Sequence, residues 1–203
     1  MKSIRMLGLA ALVALMAMAL VGATSAMAES TALCQEDTEA CPEAKRISHV
    51  HETTLEGKKA TLLSSVVEVK CDVLFLGDMV GGTLNSPLAI SGKFTYTNCV
   101  RENGKACEVN ETSASSSISV LKTGTELAAV TGNGEVNVHC GVLINCTYDG
   151  ENLSGHGLGA LSTPSKGEVR LEGQVTHRVK GVCPETAELD ILTQPLEANY
   201  ISA

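Results

Sequence analysis

Eight cysteines, Cys34, Cys41, Cys71, Cys99, Cys107, Cys140, Cys146 and Cys183, all follow one apolar N-terminal run, and no other feature restricts this chain so much. Thiols in even number behind an export leader meet oxidant rather than glutathione, so they are expected to pair. The leader has a basic start at Lys2 and Arg5, an apolar stretch from Met6 to Ala23, and the small-x-small triplet Ala26-Met27-Ala28. This is the layout of a secretory signal peptide, expected as a helix over 1–28, with one domain over 29–203. No later run is apolar for long enough to span a membrane, so no span is expected after cleavage.

Eight cysteines allow 105 pairings. Short separations favour Cys34–Cys41, Cys99–Cys107 and Cys140–Cys146, which leaves Cys71–Cys183 as a long tie; a rival scheme joins Cys71 to Cys99. Zinc sites use closely spaced ligand pairs such as C-x2-C, and the chain has none.

Between the cysteines the chain alternates. Val67, Val69, Cys71, Val73 and Phe75 share one side of a strand, as do Leu88, Ile90, Gly92, Phe94 and Tyr96. The cleanest alternation sets Val169, Leu171, Gly173, Val175, His177 and Val179 against a charged or polar opposite face. In Gly132–Gly150, Asn133-Gly134 reads as a hairpin turn, Cys140 and Cys146 face inward about a bend at Gly141, and Asp149-Gly150 reads as another turn. Asn103-Gly104 predicts a further turn, Ser154–Gly159 a turn or weak edge strand, and Glu188–Ile201 one or two closing strands. Asp37–Glu39 offers one short helical turn within a surface segment. No window shows sustained helical periodicity. The expected class is all-β: an antiparallel sandwich or barrel stapled by disulfides.

Composition narrows function. Without Lys2 and Arg5 the 15 basic residues fall to 13 against 23 acidic ones, a formal charge of −10. Such a surface repels phosphate backbones and anionic membranes, so no nucleic-acid partner is expected. With no Trp, three Tyr and two Phe, most of them on core faces, the chain has few platforms for stacking sugars.

Candidate chemistry is sparse. His49 and His51 would project to the same side of a strand, a spacing that can hold a metal if a third ligand converges; the alternative is two solvated histidines on a polar strand. His177, among apolar neighbours, reads as a core residue or as a base with a shifted pKa. His139 falls on an outward face and His156 in a glycine-rich stretch. Asp149–Asn152 lacks the D-x-D-x-D-G pattern of a calcium loop. No G-x-S-x-G elbow and no cofactor fingerprint occurs.

The units Cys34-x6-Cys41-Pro42, Asn98-Cys99-x7-Cys107, Val138-His139-Cys140-Gly141-x4-Asn145-Cys146-Thr147 and Cys183-Pro184 resemble those of a group of uncharacterised secreted bacterial proteins. The resemblance implies an extracytoplasmic, disulfide-stapled β-rich fold and no particular activity. The expectation is a secreted or envelope-associated binding or structural module, without cofactor, acting on an extracellular or envelope partner. The alternative is an extracellular hydrolase whose site residues are dispersed along the chain.

Overall fold

The computed structural model describes residues 30–124, 127–158, 168–177, 183–197 and 199–202. The expected signal peptide over 1–28 therefore lies outside the described residues, as do 178–180 of the last alternating stretch. Among the described residues twelve strands follow in order: β1 Ala32–Cys34, β2 His49–Thr54, β3 Ala60–Leu63, β4 Glu68–Val80, β5 Leu88–Arg101, β6 Glu108–Glu111, β7 Ser116–Lys122, β8 Leu127–Cys140, β9 Ile144–Leu158, β10 Glu168–His177, β11 Thr186–Pro195 and β12 Tyr200–Ser202.

Neighbours in the main sheet run β10-β9-β8-β7-β5-β4-β2-β11, and β11 pairs again with β10. The ladder thus closes on itself as an eight-stranded antiparallel barrel, which removes the exposed edges of an open sheet. Two places in the ring are shared. β2 and β3 lie end to end between β4 and β11, and β6 continues the side of β8 that β7 begins.

The predicted alternation is what fills the barrel. Val69, Cys71, Val73 and Phe75 of β4 are buried, as are Leu88, Ile90 and Phe94 of β5, and Leu171 and Val175 of β10. Every second residue points inward, so closing the ladder stacks these side chains on one axis. Gly77 and Gly92 face each other beneath the Phe75 ring; a Cβ on Gly92 would lie 2.4 Å from it.

Register distinguishes two ends. At one end lie the β3–β4, β5–β6 and β8–β9 connections, with the end of β10 and the start of β11. Here Leu63 pairs with Glu68, Val69 with Arg101, Glu108 with His139, and Thr176 with Thr186. Three disulfides gather toward this end: Cys71–Cys99, Cys107–Cys140 and Cys146–Cys183. The other end is plugged by a two-stranded ribbon of β1 and β12. Thr31 fastens the ribbon through mutual backbone bonds with Asn85, and its hydroxyl accepts the Lys122 N–H at 2.8 Å.

All eight cysteines are bonded, and Cys34–Cys41 is joined as the spacing suggested. The other favoured pairs, Cys99–Cys107, Cys140–Cys146 and the long tie Cys71–Cys183, are corrected: Cys99 joins Cys71, as in the rival scheme, Cys140 joins Cys107, and Cys146 joins Cys183. Register supplies the reason. Cys140 lies opposite Ile144, and Cys146 opposite Val138, so the two thiols of that hairpin are offset. Cys107 precedes Glu108, whose partner is His139, and this places it beside Cys140. Cys99 turns inward only because an irregularity between Lys70 and Asp72, with Asn98 at φ 50°, inserts an extra residue into β5.

Turn signals fare unevenly. Gly104 does take positive φ in the β5–β6 connection, and Gly141 does so at the β8–β9 tip. Asn133-Gly134, however, is no turn; it lies inside β8 at a register shift, and neither residue has positive φ. Gly134 is there for space, since a Cβ would lie 2.3 Å from Ser116 Oγ. Asp149-Gly150 and Ser154–Leu158 likewise belong to β9, which is flanked by β8 and β10 and is no edge. The expected turn at Asp37–Glu39 is replaced by a 3-10 turn at Glu43–Lys45, just after Pro42. The surface segment is also partly internal, with Ala32 and Cys34 fully buried.

One side chain completes a ladder. β5 pairs with β7 only as far as Gly92 opposite Ser116. The Phe94 N–H then donates to Glu111 Oε2, while Glu111 Oε1 accepts from Ser113 and Ser116, each at 2.9 Å. Charge-assisted bonds of this kind are each worth about 1.5–3 kcal/mol. Glu111→Ala is expected to destabilise the fold by about 2–3 kcal/mol in urea titrations, with Glu111→Gln recovering part of the loss. Indifference to both substitutions would mean that the β5 ladder is closed in another way.

Candidate binding sites at the two ends of the barrel

β2 reads as polar, His-Val-His-Glu-Thr-Thr, but it lies across the barrel wall with Val50 and Glu52 turned inward. Glu52 is only 7% exposed. Its neighbours across the ladder are Phe75 and Pro195, and Thr193 Oγ lies 2.5 Å from Glu52 Oε2. Burial disfavours the charged form and pushes the Glu52 carboxyl above its ordinary 4.5, while the Thr193 bond pulls weakly the other way. Thr193 Oγ also lies 3.4 Å from the Val169 carbonyl. The Thr193 hydroxyl donates to Glu52 Oε2, and the Val169 carbonyl is its alternative acceptor.

The sign of the consequence is fixed. A carboxyl with a raised folded-state pKa costs nothing below the unfolded value and destabilises the fold increasingly as pH climbs from there to the folded pKa. Glu52→Gln is therefore expected to match the parent near pH 4 and to exceed it by about 1–3 kcal/mol at pH 8, read from denaturation midpoints. A gap that stays constant across this range would show that Glu52 is not buried as described.

Glu52 opens on a cavity of about 40 Å³ at the plugged end. Most of the lining is apolar, including Leu33, Val50, Phe75 and Ile201, with Glu168 and Asn199 as the other polar members. Asn199 Oδ1 is buried and meets no donor among the described residues. Val50, Pro195 and Asn199 form a shared wall: they also line an outer cleft of about 280 Å³ with Ile47, His49, His51 and Glu197.

The histidines of that cleft do project together, both exposed. His49 Nδ1 is engaged by Asp78, however, and no three His, Cys, Asp or Glu side chains converge on a metal position among the described residues. The spacing found a shared face but not a third ligand. His139 lies on the outer wall with Nδ1 3.8 Å from Glu108 Oε2, half exposed and lining none of the described cavities. His156 sits within β9 opposite Ala129 and Arg170. His177 ends β10 opposite Tyr148, and its side chain lies outside the described residues.

The stapled end carries the second feature. Val142 is 99% and Leu143 84% exposed at the β8–β9 tip. Hairpin tips are ordinarily polar or glycine-rich, so two aliphatic side chains held in water are a departure. Cys140 and Cys146 bracket the tip, each bonded to a different neighbouring segment. Leu63, Val66 and Val100 are also partly exposed at this end.

Neither feature was singled out from sequence, although both left signals. Two-residue periodicity from Val50 already puts Glu52 inside, and a Val-Leu pair between Gly141 and Asn145 is out of place for a hairpin loop. Among the described residues no helix is long and apolar enough to cross a membrane. No protein-family model, no curated protein and no solved structure matches the chain.

Proposed function

We propose that this protein is an exported, non-enzymatic binding module that engages its partner through the stapled end of the barrel. The observation that carries the reading is the Val142–Leu143 tip. Burying two aliphatic side chains against a partner yields about 1.5–3 kcal/mol each. A tip tied on both sides by disulfides also loses little conformational freedom on docking. Four disulfides fit an oxidising compartment, and the sequence of the leader supports export.

The test is co-sedimentation of the purified protein with the envelope fraction of the producing cell, with the parent compared to a Val142→Ser, Leu143→Ser variant. The paired substitution is expected to weaken retention at least about tenfold. Stability should be unchanged, because both side chains already face water. Equal retention of parent and variant, or no retention of the parent, would remove the tip from the binding surface.

A further inference from the structure

We propose that the cavity at the plugged end receives a small primary ammonium group, with the Glu52 carboxylate as counter-ion and Asn199 Oδ1 as a second acceptor. This site is separate from the hairpin tip and stands or falls without it. The argument begins with an imbalance of hydrogen-bonding capacity. Among the described residues, the polar groups that line the cavity are Glu52, Glu168 and Asn199, with no lysine, arginine or histidine. Among the described residues, Asn199 Oδ1 is buried without a donor and one oxygen of the buried Glu52 carboxyl is bonded, to Thr193. An ammonium brings three donors and no acceptor, which is the complement of this set.

Size and field agree with that chemistry. A cavity of about 40 Å³ exceeds the roughly 10–15 Å³ needed to admit one water and leaves room for a small ammonium. The apolar walls take its carbons. The three residues of the shared wall separate the cavity from the outer cleft, where Glu197 adds a carboxylate beside His49 and His51. With a formal charge of −8, the whole chain favours the approach of a cation.

The proton balance can be measured. Among the described residues, Glu168 is the one other titratable group lining the cavity; Thr193 from β11 and Asn199 beyond it are uncharged. Burial holds Glu52 toward its neutral form, so an arriving ammonium forms its ion pair as the Glu52 proton leaves to solvent. No other bond is made or broken.

The probe is ethylammonium chloride, titrated calorimetrically into the full exported chain in two buffers of different ionisation enthalpy, with tetramethylammonium as the control. Tetramethylammonium carries the same charge but has no N–H and is too large. The expected result is saturable one-to-one binding of ethylammonium with proton release and no binding of tetramethylammonium. Glu52→Gln and Asn199→Leu should each weaken binding about tenfold or more, with circular dichroism matching the parent. Three results would each overturn the assignment: no saturable binding by the parent, equal uptake of tetramethylammonium, or unchanged affinity in a folded Glu52→Gln protein. If Glu52→Gln fails to fold, the Asn199→Leu comparison and the tetramethylammonium control decide the matter.

Discussion

Replacing Gly155 by alanine is expected to cost at least about 3 kcal/mol and to open the seam between β9 and β10. Gly155 lies in the last third of β9 with Val130 on one side and Leu171 on the other. A Cβ there would fall 1.9 Å from the Arg170 carbonyl oxygen, 2.7 Å from its carbon and 3.2 Å from Leu171 Cα. These are backbone atoms, so no rotamer change relieves the collision. The strands must separate, and β10 is the strand whose second pairing, with β11, closes the ring. Overpacking against yielding side chains typically costs about 1–3 kcal/mol, and a rigid obstacle puts this site at or beyond the top of that range.

Gly157→Ala is the matched control. It lies two residues further along the same strand, and its nearest neighbours would be side-chain atoms at 3.6 Å, an ordinary contact. It should stay within about 1 kcal/mol of the parent, or gain slightly from the reduced freedom of the unfolded chain. Urea midpoints of the two variants that agree within error would refute the described β9–β10 approach.

The second large effect concerns the sulfur bridges. Removing Cys71–Cys99 by paired alanine substitutions is expected to cost about 3–4 kcal/mol, because the bond closes a span of 28 residues in the unfolded chain. Cys34–Cys41 closes a span of only 7 and should be worth about 2 kcal/mol. Two further contrasts sharpen this. Cys107–Cys140 and Cys146–Cys183 close spans of 33 and 37 residues, so the loop term alone makes them nearly equal to Cys71–Cys99. All three also pin one end of the barrel, so losing any of them should loosen the β8–β9 tip before the ribbon at the opposite end. Hydrogen exchange would report that order. Non-reducing digestion and mass spectrometry test the connectivity directly, and a peptide linking Cys99 to Cys107 would contradict it.

The disulfides also show how far local spacing reaches. Cys34–Cys41 was legible because a short polar segment has few other ways to close. Cys71–Cys99 depends on a bulge that rotates Cys99 inward, and periodicity alone places that residue on the opposite face from Phe94 and Tyr96. Asn133-Gly134 failed as a turn because Gly134 answers a different need, the close approach of Ser116 from the neighbouring strand. Turn chemistry and close packing select the same residue, and only the partner strand tells them apart.

The candidate sites follow the same division. Shared projection of His49 and His51 came from a period of two and held, whereas the engagement of His49 by Asp78 came from the neighbouring strand β4. Glu52 looked like one more polar residue on a polar strand. Its position on the Val50 side was written in the alternation, but its isolation from water required β4, β10 and β11 to close around it.

The sequence by itself determined the class of the fold. Alternation of apolar and polar residues is a local property, and strands of one-sided hydrophobicity have to bury that side against one another; thiols in even number carry the expectation that they pair. Only the tertiary structure decided that the sheet closes into a ring, which cysteine meets which, and that a carboxyl is buried on a cavity it shares with an amide oxygen that meets no donor among the described residues. Those outcomes depend on register between strands far apart in the chain, and register is set by bulges and cross-strand contacts that no single segment encodes.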